Sequence, residues 1–323
     1  MNQSLRALAV LLLAGCSATT PVATEGSRST PTHPLIGNAI GLDHVLLWSR
    51  DNMAAERELG DLGFTLSAKA GSYGAGISNK LVWFKNWSFI EFLWLSDAEK
   101  ARVEAPQEYA FVAHNHGSNA FGINIADADQ TFTELTKAGL EPEKPGAEAW
   151  DPDGPEGPNP PIVNEWRFMF LKQPSLPGNP FFVQYKKGAD APRKETHPNG
   201  AQKLSAVWVL VRDIEQAKLA YGRASFSETV SFKSLGAKVA ALPTGQGEIF
   251  LVQPGATGVL GSSLKDRGEH VHGISVQVAD LEATEQLLKQ HGKPYSLQTN
   301  GRFGASLLVP ARPPLGLMIE FHE

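Results

Sequence analysis

The chain has 323 residues, with 29 Lys and Arg against 34 Asp and Glu for a net charge of −5, and a single cysteine. A mildly acidic surface argues against a nucleic-acid binder and against electrostatic docking on anionic lipid, and one cysteine excludes an intramolecular disulfide. That length is ample for a buried core and ordinarily divides into two domains.

The chain opens with Arg6, an apolar stretch from Ala7 to Ala14 and the run Leu13-Ala14-Gly15-Cys16. A positive residue, a brief apolar segment and small residues make a secretory leader, too short to span a bilayer. The small pair before Cys16 resembles the lipobox of bacterial lipoproteins. That resemblance implies removal of residues 1–15, a lipid anchor on Cys16 and, with Ser17 rather than aspartate following, the periplasmic side of the outer membrane. Residues 16–39, rich in Thr, Ser, Pro, Ala and Gly, predict a flexible tether.

Beyond the tether a pattern recurs at Gly41 to Asp51, Ser118 to Asp127, Leu204 to Asp213 and Val271 to Asp280. Each is an apolar strand ending in an aspartate placed as a helix N-cap. Amphipathic stretches follow at Ala54 to Leu62, Phe132 to Ala138, Ile214 to Tyr221 and Leu281 to Gln290. Twelve residues after the aspartate, Gly63, Gly139 and Gly292 supply a helix stop, with Ser225 in the third repeat. Strand-like runs come next: Lys80 to Phe84 with Ser88 to Leu95, Glu165 to Leu171 with Pro180 to Tyr185, Lys238 to Leu242 with Glu248 to Val252, and Ser306 to Val309 with Leu317 to Phe321. The repeat is βαβββ, and the Pro-, Lys-, Asn- and Gly-rich stretch Gly188 to Gln202 marks a boundary.

Paired βαβββ repeats resemble the vicinal oxygen chelate superfamily of glyoxalase I, extradiol dioxygenases and bleomycin-resistance proteins. The resemblance implies an α+β fold: four βαβββ modules in two glyoxalase/bleomycin-resistance-like domains, residues 40–187 and 204–323, joined by a linker at 188–203. Each domain is expected to curl an eight-stranded sheet around a cavity. Gly76-Ile77-Ser78-Asn79, Phe89-Ile90-Glu91 and Pro180-Phe181-Phe182-Val183-Gln184-Tyr185 look most like the glyoxalase-like branch, whose name implies a fold better than a reaction.

Metal-dependent members draw a histidine from a module's first strand, seven residues before the aspartate, and a glutamate from its last. His44 meets that spacing with Asp51, and Glu91 stands in an apolar last strand. The corresponding first-strand positions hold Ala120, Ala206 and Gly273; the last-strand positions are read as Gln184, Phe250 and Glu320. His272 is offset by one residue, which on a regular strand turns it to the other face unless a bulge intervenes. The implied metal set is His44, Glu91 and Gln184, around one divalent ion such as Zn, Ni, Mn or Fe, with Glu91 doubling as catalytic base. The alternative is a metal-free pocket in which His44 and Glu91 hydrogen-bond each other or a ligand.

Asn79, Trp166 and Arg167 are expected to line the cavity and contact substrate, Arg167 by pairing with an anion. The aromatics Trp83, Phe84, Trp87, Phe89, Phe92 and Trp94 fit either a pocket wall or core, and His114 and His116 fall in a loop-like stretch before a strand. No Gly-x-Ser-x-Gly elbow occurs, Gly71 to Gly76 fits neither common phosphate loop, and Asp151 to Pro161 predicts a rim loop. Two functions stay open: a lyase, isomerase or dioxygenase acting on a small oxygenated molecule with metal assistance, or a non-catalytic protein that sequesters a small ligand. The second domain is expected to be degenerate.

Overall fold

The computed structural model describes residues 39–323 apart from 69, 73, 115, 151–163, 173–175, 188–195, 223–225, 228 and 233–234. The leader with Cys16, the tether, the Asp151 to Pro161 insert, Ser225 and most of the linker lie outside the described residues.

The first half runs β1 (Ala39–Trp48), α1 (Asn52–Asp61), β2 (Gly71–Ser72), β3 (Ile77–Trp83), β4 (Phe89–Leu95), α2 (Ala98–Glu104), α3 (Pro106–His114), β5 (Phe121–Ile125), α4 (Ala128–Lys137), β6 (Gly146–Trp150), β7 (Asn164–Met169) and β8 (Pro180–Lys187). The second repeats it with β9 (Ala201–Leu210), α5 (Ile214–Ala220), β10 (Val230–Phe232), β11 (Ala237–Pro243), β12 (Glu248–Pro254), α6 (Gly258–Arg267), β13 (His270–Val278), α7 (Leu281–Gln290), β14 (Ser296–Gly301), β15 (Gly304–Val309) and β16 (Met318–His322). Each half forms an eight-stranded curled sheet, in the orders β2-β3-β4-β1-β5-β8-β7-β6 and β10-β11-β12-β9-β13-β16-β15-β14. Within a module the first and last strands are parallel, as in β1 with β4 and β5 with β8; antiparallel β1 and β5 join the modules. The fold is thus α+β, with four βαβββ modules paired into two domains.

Two local devices fix the modules, the first in all four and the second in three. Asp51, Asp127, Asp213 and Asp280 all cap their helices, each accepting from N–H groups of the first turn. The helices end at glycines with left-handed backbone: Gly63 (φ 82°), Gly139 (φ 82°), Gly222 (φ 76°) and Gly292 (φ 62°). The third stop is therefore Gly222, and the helix is shorter than the twelve-residue spacing suggests. The second device was not evident from the sequence. The N–H after the cap is met from the end of the last strand, Ala128 by Gln184 Oε1 at 3.2 Å, Ile214 by Gln253 Oε1 at 3.0 Å and Leu281 by Glu323 Oε1 at 2.9 Å.

One apolar core runs through both halves, joining Leu47, Phe92 and Phe182 to Val207, Leu251 and Phe321, with Phe64 stacked on Phe321 at 5.8 Å. The opposite sheet faces carry separate clusters, one around Leu46, Trp48, Phe181 and Val183 and the other around Ala206, Trp208, Phe250 and Met318. Helices absent from the sequence reading cover those faces: Val112 of α3 packs into the first cluster, and Leu260 of α6 into the second. The described end of the linker is strapped to the first half. Thr65 N–H donates to His197 Nδ1 at 3.0 Å, so the other ring nitrogen donates to the Trp83 carbonyl at 2.7 Å, and Asn199 Nδ2 donates to Leu62 O at 2.8 Å. Among the described residues no helix is long and apolar enough to cross a membrane.

The caps make a direct prediction. Asp280 Oδ1 accepts from Ala283 N–H at 2.8 Å, so Asp280→Ala is expected to cost about 1 kcal/mol in urea unfolding while Asp280→Asn costs far less. Equal losses for the two variants would show that charge, not the cap geometry, is what counts.

Candidate functional site

The site is built where β1 departs from regular alternation. Val45 and Leu47 enter the shared core, and His44, Leu46 and Trp48 turn to the inner face. Between Leu42 and His44 the pairing with β5 shifts by one residue, leaving Asp43 as an extra residue in a bulge. Asp43 therefore joins His44 on the inner face: Asp43 Oδ2 lies 2.5 Å from His44 Nδ1, and the Tyr185 hydroxyl donates to the same oxygen at 2.8 Å. On the other side of the ring, His44 Nε2 is 3.5 Å from Glu91 Oε2, and Glu91 Oε1 accepts from Asn79 Nδ2 at 2.9 Å. Asp43, His44, Asn79 and Glu91 are all buried, at 2, 5, 2 and 1% exposure.

Aromatic surfaces hold the imidazole in place. Phe89 stacks on it at 4.3 Å and 9°, and Phe181 meets it edge-on at 5.1 Å. A Cβ on Gly122 would stand 2.9 Å from His44 Nδ1, so the neighbouring strand must carry glycine there. Burial, then the nearby Asp43 charge and its hydrogen bond, and lastly the Glu91 charge, push the Tyr185 hydroxyl well above its ordinary range. Tyr185 consequently stays protonated and serves as a donor.

The His44 to Glu91 separation would suit two donors on one tetrahedral ion, each about 2.1 Å from it, and Asp43 on Nδ1 is the partner such a histidine usually has. The third donor is missing. Among the described residues no group of three or more His, Cys, Asp or Glu is arranged to hold a metal, whereas catalytic transition-metal sites draw on three protein ligands. The described side chains therefore do not fit a resident transition metal.

Gln184 does not supply that donor. Phe181 and Val183 belong to the inner cluster with Tyr185 against it, so Gln184 falls on the opposite face. There it caps α4, accepting from Ala128 N–H and donating from Nε2 to Ala126 O at 2.8 Å. Its counterparts are Gln253 and Glu323, and the last-strand ligand position in the second module is Phe181, three residues earlier, as Phe250 and Glu320 are in the later modules. Arg167 likewise turns outward, forming a forked pair with Asp129 of α4 at 2.6 and 2.7 Å, so it does not face a substrate at this site. Trp166 and Asn79 do lie on the inner face. The aromatic run divides: Trp83 and Phe89 flank the site, Phe84, Phe92 and Trp94 enter the core, and Trp87 is exposed.

Comparison with known proteins accords with this geometry. The profile described as "Glyoxalase-like domain" matches residues 42–224, more than half of the chain. The chain belongs to the glyoxalase-like family. A second profile, for the glyoxalase, bleomycin resistance protein and dioxygenase superfamily, matches residues 207–306. No curated protein matches the sequence. Among solved structures, a triple mutant of 4-hydroxymandelate synthase from Streptomyces coelicolor is 13% identical with a TM-score of 0.61, covering 88% of this chain and 92% of that one. A hypothetical protein from Staphylococcus aureus is also 13% identical, with a TM-score of 0.55 over 87% of this chain and 98% of that one. Such identities show a shared fold alone.

In this glyoxalase-like protein the second sheet keeps the frame with different inward residues. Ala206, Phe250 and Gly273 fill three ligand positions, and Glu320 is satisfied by the Ser275 and Ser306 hydroxyls at 2.5 and 2.7 Å. Trp208 donates to Ser275 at 2.8 Å, and Phe303 stacks on His322 at 4.0 Å. His272 sits at a register shift between Val271 and Gly273, and that bulge brings its ring to Ser263 of α6. His114 ends α3 and is exposed; His116 is half-buried.

Sequence reasoning missed Asp43, Tyr185 and Glu108. Strict alternation would put Asp43 on the face opposite His44, and only the bulge reverses it. Glu108 is 1% exposed on α3, spaced with Ala105 and Val112 toward the inner cluster, and its Oε2 has no partner among the described residues. Burial lifts its pKa from 4.5 to about 7. A carboxyl raised in the folded state is no burden below pH 4.5; the cost grows toward pH 7 and reaches roughly 3 kcal/mol above it. Glu108→Gln is expected to raise the melting temperature at about pH 8 and leave it unchanged near pH 4.5. A gain of equal size at both pH values would rule out titration of Glu108 as its source.

Proposed function

We propose that the first domain binds a small oxygenated molecule with an apolar body and that His44 and Glu91 move a proton on it. The observation that carries this reading is the His44 imidazole held between two buried carboxylates, with Nδ1 on Asp43 and Nε2 toward Glu91. Asp43 accepts from Nδ1–H and fixes the tautomer, which leaves Nε2 as the working nitrogen. Nε2 and Glu91 then hold one proton between them, and a ligand hydroxyl or carbonyl entering at this pair meets a base and an acid in one place. Asn79 orients Glu91, Tyr185 stabilises Asp43, and Phe89, Phe181 and Trp83 match an apolar body. The chemistry this supports is proton transfer of the isomerase or lyase kind.

The rival reading is sequestration without turnover. It is favoured by Ala120 and Phe181 at the second module's ligand positions, where polar donors are replaced by apolar ones. A thermal-shift screen of small carbonyls, catechols and glycopeptides, followed by turnover of each hit, separates the two. The expected result is turnover that survives chelation and falls by about 10²- to 10⁴-fold in His44→Ala and in Glu91→Gln. Binding without turnover would establish sequestration, and turnover that requires a stoichiometric metal would overturn the metal-free mechanism.

Cys16, in Leu13-Ala14-Gly15-Cys16, is proposed as the site of a lipid anchor that holds the domains at the periplasmic face of the outer membrane. Cys16→Ser should move the protein from the outer-membrane fraction to the soluble fraction. Unchanged fractionation would discard the anchor.

A further inference from the structure

Basic groups gather where the two halves meet. At the end of β1, Trp48 pairs with Gly117, which packs against Gly316 and the Arg267 guanidinium; a Cβ on Gly117 would lie 3.2 Å from Arg267 Nη2. Arg267 closes α6, and its Nη2 is buried with no hydrogen-bond partner among the described residues. Burial first, and then the Arg267 charge, hold His116 below its ordinary range, with Arg50 adding to the effect. Burial and positive neighbours likewise push His270 to about 4 and His272 to about 3. Burial alone lowers Arg267, and no carboxylate perturbs any of the four groups.

The hydrogen bonds assign the protons. The Gly268 carbonyl, 2.7 Å from His270 Nδ1, can only accept, so that nitrogen carries the hydrogen. His270 Nε2 then accepts from the Ser263 hydroxyl at 3.1 Å, and the Ser263 oxygen accepts from His272 Nδ1–H at 3.2 Å. His272 Nε2 is left with a lone pair, and the Arg267 charge acts on that ring.

We propose that this seam binds a small oxyanion that also carries a hydroxyl, with hydrogen phosphate the simplest case and a hydroxycarboxylate the organic one. Its charged oxygens accept from Arg267 and supply the missing counter-charge, and its hydroxyl donates to His272 Nε2. A metal cation does not suit the seam, because Arg267 repels it. The site is separate from the Asp43, His44 and Glu91 constellation and does not rest on its chemistry.

Calorimetric titration of the full chain with inorganic phosphate, and separately with glycolate, tests the proposal against sodium chloride of equal ionic strength. Saturable binding of either anion is expected, weakened at least tenfold by Arg267→Gln and by His272→Gln and unchanged by His44→Ala. Circular dichroism verifies that each variant is folded; if Arg267→Gln is not, Arg267→Lys, which keeps the charge and loses the fork, is expected to bind at an intermediate level. A response no larger than that of chloride, or binding lost in His44→Ala and kept in the Arg267 and His272 variants, would overturn it.

Discussion

Two carboxylates and one imidazole share a buried cluster in the first domain, and much of the local structure follows from keeping them there. Asp43, His44 and Glu91 are nearly excluded from water, and an uncompensated charge in such surroundings costs several kcal/mol. A single imidazole cannot satisfy the lone pairs of both acids. The remaining lone pairs are met by the Tyr185 hydroxyl and the Asn79 amide. Tyr185 lies on β8 and Asn79 on β3, on opposite sides of the β1–β5 seam, so both reach the site only because the sheet curls. The cluster thus depends on both modules even though its two acids and its imidazole come from the first. Gly122 is part of the same constraint, since any side chain there would displace the imidazole.

The second domain shows how little of the frame depends on those charges. Its strand order, aspartate caps and last-strand caps repeat those of the first. Apolar residues replace most of the donors, and two serine hydroxyls satisfy Glu320, whose carboxyl is raised by burial and partly offset by those same bonds. Outward and core positions maintain the fold, while inward positions differ between the two sheets. The shared core and the stacking of Phe64 on Phe321 bind the domains into one body. That packing also creates the basic seam around Arg267, to which each half contributes side chains.

Most of the frame was legible in the chain because its determinants are local. An aspartate ending an apolar strand caps the next helix whatever surrounds it, and a glycine with positive φ ends that helix. The period of the repeat therefore reveals four modules, and the family pattern that they resemble singles out His44 by its spacing to Asp51. The twelve-residue spacing fails where the helix is shorter: Gly222, not position 225, stops the third helix. The helices α2, α3 and α6 went unread because their faces are defined by the sheet surfaces they cover.

The sequence by itself determined the paired βαβββ architecture and the capping aspartates, which follow from spacing along one strand or helix, and the family resemblance of that pattern nominated His44, Glu91 and Asn79. Tertiary structure decided which inward-facing groups complete the site. A one-residue bulge brings Asp43 beside His44, and parallel pairing of Gly122 with Phe181 turns Phe181 and Tyr185 inward and Gln184 outward. Alternation carries a side chain to one face or the other, but the face changes with a single-residue shift, and such shifts are set by contacts between strands remote in the chain.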